Sequence, residues 1–152
     1  LKSRQLRRRV LLDTPFMFPS LGIDVGEEVS RGLKTLSDTK SEICYSPFSI
    51  LESLWVAARL LRSATFDREI FSLGLRSIIE GRRYKKVEEN SEIFNDALRL
   101  YLLGHNDMVD NILYASSTQL NLKLLTLDKE LKEFIRERRL KDTLISPDEL
   151  TR

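Results

Sequence analysis

The sequence predicts an α/β protein, a three-layer α/β/α sandwich with a central, mainly parallel sheet of roughly five strands. Two observations predict this class. Short apolar runs rich in branched or aromatic side chains alternate with longer segments whose apolar residues recur every three or four positions. The longer segments contain no internal proline, so they can form helices that connect parallel strands and cover both faces of the sheet.

Each predicted element follows from its local pattern. The strand candidates are apolar runs too short for a stable helix, and the helix candidates carry one apolar face. In chain order the predicted strands are 9–12, 42–46, 84–87, 122–126 and 143–145, and the predicted helices are 26–36, 48–63, 66–80, 91–103, 107–120 and 128–139.

Length and composition limit the possible classes. A chain of 152 residues that is 41% hydrophobic and 32% charged fits one globular domain, residues 1–152, in which residues 1–8 are expected to be a flexible basic segment. We find no repeat or linker. The net charge of +2 is too small for binding of nucleic acid by bulk electrostatics, so any basic surface must be local.

Cysteine usage and hydropathy predict a cytoplasmic protein. Cys44 is the single cysteine, which excludes an intrachain disulfide, and its apolar neighbours favour a buried, inert thiol. No apolar stretch approaches the roughly 18 to 20 residues of a membrane span, and Asp13 with Pro15 interrupts any signal-peptide core. Phosphate-binding glycine motifs and zinc or acyl-hydrolase spacings are also missing, which disfavours those enzyme classes.

Five acidic residues lie near the predicted carboxyl ends of strands or in helix first turns. Asp13 and Asp128 follow strands, Glu52 is one turn into a helix, and Asp107 and Asp110 are three residues apart in the first turn of another. In open α/β sheets ligands bind outside the carboxyl ends of the strands, so these acids are expected to meet in one crevice. Clustered carboxylates repel one another and attract a hard divalent cation.

In order and spacing, segments 11–14, 45–55, 107–115 and 124–131 resemble the acid-bearing segments of PIN-domain nucleases. The resemblance implies a metal-dependent endoribonuclease that uses Mg²⁺ or Mn²⁺, with the metal relieving the repulsion of the acids and stabilising the fold. It assigns catalysis and metal binding to Asp13, Glu52, Asp110 and Asp128, and places Asp107 in a second shell or on a second ion. Thr14 and Thr126 flank the acids, where they can orient a metal-bound water or a phosphate oxygen, or simply favour a turn or strand end.

Two features depart from the family pattern or leave it ambiguous. Pro15 stands where relatives often have a small polar residue, so the usual extra hydrogen bond near the metal is lost or is supplied by Thr14. Either Asp107 or Asp110 can be the helix ligand, and we favour Asp110. Singly, Asp13, Asp107 and Asp128 also fit ordinary turn or helix caps, and Glu52 alone fits a helical surface residue.

The resemblance further implies a VapC-like toxin of a VapBC-type toxin–antitoxin pair, with an RNA substrate, a small antitoxin partner and a homodimer. The apolar faces of 48–63 and 66–80 are the candidate surfaces for the dimer contact or the antitoxin. Replacing Trp55 or Phe71 with a charged residue tests this, since a folded monomer is then expected. Two alternatives remain: a stand-alone RNA-processing nuclease and a non-catalytic RNA- or protein-binding module. An adjacent reading frame for a DNA-binding antitoxin separates the first from the toxin.

Basic and aromatic residues suggest where RNA is held. The basic run nearest the acids is expected to bind the RNA backbone, whereas the aromatic residues near the acids are assigned to core packing, with base stacking as the alternative. His105, the only histidine, is given no role. The basic runs are Lys2 with Arg4 and Arg7 to Arg9, then Arg82, Arg83, Lys85 and Lys86, then Arg136, Arg138, Arg139 and Lys141; the aromatics are Phe16, Phe18 and Trp55.

Overall fold

Five parallel strands form the sheet, as predicted. The computed structural model describes residues 7–151, which leaves most of the predicted flexible segment 1–8, with Lys2 and Arg4, outside the described residues. The strands are β1 (Arg9–Leu12), β2 (Glu42–Tyr45), β3 (Lys85–Lys86), β4 (Lys123–Leu125) and β5 (Leu144–Ile145). Their order across the sheet is β3, β2, β1, β4, β5, and every neighbouring pair is parallel.

All six predicted helices are confirmed, with ends that differ from the prediction by no more than three residues. Short 3-10 helices at Thr14–Met17, Pro19–Leu21 and Pro147–Thr151 were not predicted. The α-helices are α1 (Glu27–Asp38), α2 (Pro47–Leu60), α3 (Arg68–Ile79), α4 (Ser91–Leu102), α5 (Met108–Gln119) and α6 (Lys129–Glu137).

Strand β1 is buried on both faces, which establishes the three layers. Val10 and Leu12 pack into a core that includes residues of α1, α2 and α3. Leu11, which points the other way, packs into a core that includes residues of α4, α5 and α6. The apolar runs therefore read as continuous rather than alternating, as expected for a parallel sheet covered on both sides.

The register of β1 and β4 brings their carboxyl ends together. Leu12 pairs with Leu125, and beyond that pair the amide of Asp13 donates to the carbonyl of Leu125 at 3.0 Å. The residues that follow the two strands, Asp13 and Thr126, are therefore neighbours. The strand-end acids meet because the chain places them one step beyond paired strand residues.

The predicted burial of Cys44 is confirmed, because the residue is only 1% exposed. Burial raises the pKa of the thiol, which lowers its reactivity at neutral pH. Between residues 7 and 151, none of the helices is both long and apolar enough to cross a membrane.

Candidate functional site

A cavity of about 710 Å³ opens at the carboxyl ends of β1 and β4. All five acids that the sequence singles out line it, so the predicted convergence on one crevice is observed. Thr14 also lines it, next to Asp13, and the remaining lining residues are apolar except for Arg59. The lining acids are Asp13, Glu52, Asp107, Asp110 and Asp128, and the other lining residues are Thr14, Pro15, Phe16, Phe18, Trp55, Val56, Arg59 and Leu127.

Asp13 lies at the buried end of the cavity and its carboxylate is held at both oxygens. Oδ1 accepts from the backbone amide of Thr14 at 2.8 Å, and Oδ2 accepts from the hydroxyl of Thr126 at 2.7 Å. Burial nevertheless raises the pKa of Asp13 to about 6, with Asp128 and Glu52 adding like-charge repulsion and the two hydrogen bonds opposing the rise. Asp13 is thus fixed in position and poorly neutralised.

Thr126 orients two acids with one hydroxyl. Its Oγ1 donates to Asp13 and accepts from the backbone amide of Asp128 at 3.0 Å. Thr126 directly follows β4 and is buried. This position holds its hydroxyl beside both acids. Thr126, for which the sequence predicts a supporting role, thus forms hydrogen bonds with the side chain of Asp13 and with the backbone of Asp128.

Glu52 faces the cavity from α2, which begins at Pro47 and is capped by the Ser46 side chain. The Thr14 hydroxyl donates a hydrogen bond to Oε1 of Glu52. Partial burial raises the pKa of Glu52, the bond from Thr14 lowers it, and the charge of Asp107 raises it further. Pro15 itself is exposed, so a hydrogen bond to an acid of the site is supplied by Thr14, one of the two possibilities foreseen.

Asp107 and Asp110 play different parts at the start of α5. Asp107 is the N-cap, and its Oδ1 accepts from the backbone amide of Asp110 at 3.1 Å. Burial, followed by the charges of Asp13 and Asp107 and a hydrogen bond with Asp128, raises the pKa of Asp110 to about 9. These effects favour the protonated form of the Asp110 carboxyl.

Asp13 and Asp128 cap helices and also line the shared cavity. Asp128 caps α6, because its Oδ1 accepts from the amide of Leu131 at 3.1 Å, and Asp13 caps the first 3-10 helix. Capping fixes one oxygen of each carboxylate against a helix N-terminus while the residue still lines the cavity. The cap interpretations therefore do not compete with a shared site.

The donor set suits a hard divalent cation. Oxygen ligands from clustered carboxylates match Mg²⁺ or Mn²⁺, and burial, followed by repulsion from neighbouring carboxylates, raises the pKa of Asp13, Glu52 and Asp110. Within residues 7–151, no three acidic, histidine or cysteine side chains already lie close enough to hold a metal ion. A bound cation would therefore require the carboxylates to move closer together, and it would favour the ionised form of Asp110.

Comparison with known proteins identifies the family. The model of the PIN domain family matches residues 10–137, which contain all five acids. The chain belongs to the PIN domain family. Comparison with curated proteins gives no match.

Solved structures of similar fold accord with this membership. A toxin–antitoxin complex from Klebsiella pneumoniae is 13% identical, with a TM-score of 0.59 and coverage of 91% of this chain and 97% of that chain. FitAcB from Neisseria gonorrhoeae is 18% identical (TM-score 0.58; 91% and 97% covered). VapC20 from Mycobacterium tuberculosis, described as a toxin that cleaves the sarcin-ricin loop, is 13% identical (TM-score 0.60; 82% and 93% covered). These likenesses show a shared fold.

The aromatic residues of this PIN domain divide between core and surface. Phe16 is fully buried, which confirms core packing, and Phe18 is partly buried. The same prediction is wrong for Trp55, whose side chain is 66% exposed at the cavity. Trp55 projects outward because it lies on the cavity face of α2, three residues after Glu52, rather than on the face that packs on the sheet.

Sequence reasoning missed Arg59, the one basic residue that lines the cavity of this PIN domain within residues 7–151. Arg59 belongs to none of the basic runs, because those were chosen by adjacency along the chain. Helical spacing indicates its position, since Arg59 lies two turns after Glu52 and therefore on the same face of α2. A search for cations at that spacing from each acid would have found it.

His105 has a structural part in the PIN domain. Its Nδ1 lies 2.8 Å from Oδ1 of Asn111, its carbonyl accepts from Nδ2 of Asn111 at 2.8 Å, and its ring packs on Phe134 with centroids 5.2 Å apart. These contacts fix the loop before α5. They give the buried His105 a structural explanation.

Proposed function

We propose that this PIN domain is a metal-dependent endoribonuclease and acts as the VapC-like toxin of a toxin–antitoxin pair. The observation that carries the proposal is the group of five acids on one cavity at the carboxyl ends of the central strands. Toxin–antitoxin proteins of the same fold, one of them described as cleaving the sarcin-ricin loop, support it.

Asp13, Glu52, Asp110 and Asp128 would hold Mg²⁺ or Mn²⁺, with Asp107 behind them or on a second ion. The bound cation supplies charge stabilisation for the phosphoryl oxygens and a water of lowered pKa. Thr126 keeps Asp13 and Asp128 aligned. Asp110 must release its proton before it can act as a ligand, so binding of the cation releases protons near neutral pH.

The RNA backbone is proposed to follow a basic groove that begins beside the acids. Lys129 and Lys132 line a first, mainly acidic groove with Glu28, Asp128, Asp142 and Glu149. Both lysines continue into a second groove along α6, of about 470 Å³, with Arg136 and Arg139. Among the ion pairs of the described chain, only that of Arg136 with Glu133 involves this set. Although Glu133 and Asp142 also line the groove, four cations outnumber two acids there.

This groove refines the sequence expectation about basic runs. Arg136 and Arg139 of the third run line it, but Arg138 instead lies over the ring of Phe134, 5.4 Å from its centroid. Arg139 has a left-handed backbone with φ 55°, a position that favours glycine.

A protein partner is proposed to cover the apolar surface of α2 and α3. Leu51 and Leu54 on α2 and Leu73 on α3 are between 46% and 63% exposed, and contiguous exposed apolar surface marks sites of protein contact. Phe71 is 8% exposed, so a charge there tests folding rather than assembly. Leu73→Glu is the better variant, and the exposed neighbour Ser72→Glu is its control.

Assembly is measured by light scattering on the eluted protein. A homodimer across this surface predicts that Leu73→Glu elutes as a folded monomer while Ser72→Glu keeps the parent mass. Equal masses for all three proteins, at several concentrations, would remove this surface as a dimer contact.

The decisive experiment is cleavage of labelled single-stranded RNA with Mg²⁺, Mn²⁺ or EDTA. We expect cutting only with metal, and loss of cutting in Asp13→Ala and Asp110→Ala. Asp24→Ala, an exposed acid that does not line the cavity, is the control and should cut normally. Equal background in all proteins, with no metal-induced rise in melting temperature, would favour a non-catalytic binding module.

A further inference from the structure

One face of α2 carries both an acid and a cation into the cavity. Glu52, Trp55, Val56 and Arg59 all line it, and their spacing of three, four and seven residues from Glu52 places them along one stripe of the helix. The rise along the helix separates Glu52 from Arg59 by about 10 Å. The stripe thus leads from the acids to a positive charge, with an indole ring between them.

Trp55 has no structural role that explains its position. Its side chain is 66% exposed, and it belongs to none of the aromatic pairs in the described part of the chain. A large exposed ring at the edge of a cavity is unfavourable in water and favours a ligand that covers it.

Arg59 is also available. It is exposed and takes part in none of the ion pairs found among residues 7–151. None of these ion pairs joins Arg59 to Glu52, which lies on the same helix face. A guanidinium in this position can bind a phosphate oxygen.

We propose that Trp55 and Arg59 form a nucleotide subsite for single-stranded RNA, next to the acids. A base stacks on the indole of Trp55, and a flanking phosphate contacts the guanidinium of Arg59. Stacking requires an unpaired base, so the subsite selects single strands over duplex. The identity of the ligand as RNA rests on the proposed nuclease function.

The surroundings favour a nucleotide over the apolar side chains of a partner protein. An apolar side chain seated on Trp55 offers no charge to match the guanidinium of Arg59 or the carboxylate of Glu52 on the same helix face, and burying those charges unpaired is costly. A nucleotide offers an apolar ring face and an anionic phosphate together, and so matches both halves of the stripe.

Trp55 is the only tryptophan of the chain, so its fluorescence reports this subsite alone. Titration uses Asp110→Asn protein in EDTA, which prevents cleavage, and oligouridylate or oligoadenylate of about eight nucleotides, within the size range of single-strand sites. We expect saturable quenching by the single strands and little change with the same strands annealed to their complements. Unchanged emission with every single strand overturns the proposal.

Variants in the same background separate stacking from folding. Measured by anisotropy of a labelled strand, affinity should fall by at least about fivefold in Trp55→Ala and be largely kept in Trp55→Phe, because aromatic stacking tolerates either ring. Arg59→Gln should bind more weakly and show a salt slope smaller by about 0.7, the loss of one phosphate contact. Arg62→Gln, an exposed arginine beyond the end of α2, should match the parent.

Equal binding by Trp55→Ala and its parent overturns the subsite, as does equal loss in Trp55→Ala and Trp55→Phe at unchanged melting temperature. A blue shift that grows with protein concentration and is insensitive to RNA would instead assign Trp55 to a contact between copies. Failure of the nuclease proposal is seen separately, as lack of metal-dependent cutting by the unmodified protein while quenching persists.

Discussion

The hydroxyl of Thr126 connects the carboxylate of Asp13, at 2.7 Å, to the backbone amide of Asp128, at 3.0 Å. This link crosses from the end of β1 to the start of α6. It makes the relative position of the two acids depend on one oxygen atom rather than on long, flexible side chains. Residues that hold metal ligands from behind often matter nearly as much as the ligands.

Replacing Thr126 with valine tests that link. The shape is kept but the hydroxyl is lost, so Asp13 loses a hydrogen bond and the amide of Asp128 loses its acceptor. We expect metal-dependent RNA cleavage to fall about 10- to 100-fold, with a higher metal concentration needed for half-maximal rate. Rates measured across a metal titration separate the two effects.

Thr143→Val is the matched control for this prediction. Thr143 is also buried beside the sheet, and its hydroxyl lies 2.6 Å from Oγ of Ser117, away from the cavity. Both variants should lose similar stability. If Thr143→Val lost as much activity at equal melting temperature, the effect would be structural and the orienting role of Thr126 would be wrong.

The protonated state of Asp110 predicts how the metal-free protein responds to pH. Its pKa is raised from 3.8 to about 9, so between these values the folded protein holds a proton that the unfolded chain does not. The contribution of this proton to the free energy of unfolding is greatest below pH 3.8. It declines as the pH rises and is lost above about pH 9. Asp13 behaves similarly, from 3.8 up to about 6.

We therefore expect the melting temperature in EDTA to rise as the pH is lowered from about 9 towards 6. Asp110→Asn should weaken this dependence and be more stable than the parent at the alkaline end, because the amide cannot ionise. Thermal unfolding followed by circular dichroism measures both. A parent protein whose stability rose with pH over this window would contradict the raised pKa, and the exposed-site variant Asp24→Asn should follow the parent.

Divalent metal should raise the melting temperature by neutralising the same acids. At a metal concentration about 100 times the dissociation constant, binding adds about 2.7 kcal/mol to the free energy of unfolding, or several degrees for a chain of this size. The shift should shrink as pH falls, because protons compete for Asp110 and Asp13. Asp13→Asn should lose most of it, whereas an equal shift in Asp24→Asn and Asp13→Asn would indicate non-specific binding.

Much of the fold could be predicted because the layers repeat a simple pattern. In β1 three consecutive residues after Arg9 are apolar, which indicates a strand buried on both faces, and the strand-end rule then locates the acids. The three 3-10 helices were missed, since each spans at most five residues and no periodicity develops over so short a segment.

The roles of Trp55 and Arg59 required the structure. An amphipathic pattern shows that a helix has two faces, but Ile50, Leu54 and Trp55 are all apolar and only packing decides which are covered. Ile50 packs against the core whereas Leu54 and Trp55 are 46% and 66% exposed. Spacing from Glu52 placed Trp55 near the acids, and three-dimensional contacts were needed to place it outside the core.

The basic groove along α6 predicts that the neighbouring residues Arg138 and Arg139 differ in their effect on RNA affinity. Lys132→Gln and Arg139→Gln, each in the Asp110→Asn background with EDTA, should weaken binding of a single-stranded RNA at low salt. Each should also reduce the slope of log K against log salt by about 0.7, because one phosphate contact is lost. Arg138→Gln should match the parent, since Arg138 lies over Phe134 instead of in the groove. Affinities measured at several salt concentrations check all three, and equal losses in Arg138→Gln and Arg139→Gln would mean that general positive charge, and not this groove, attracts the RNA.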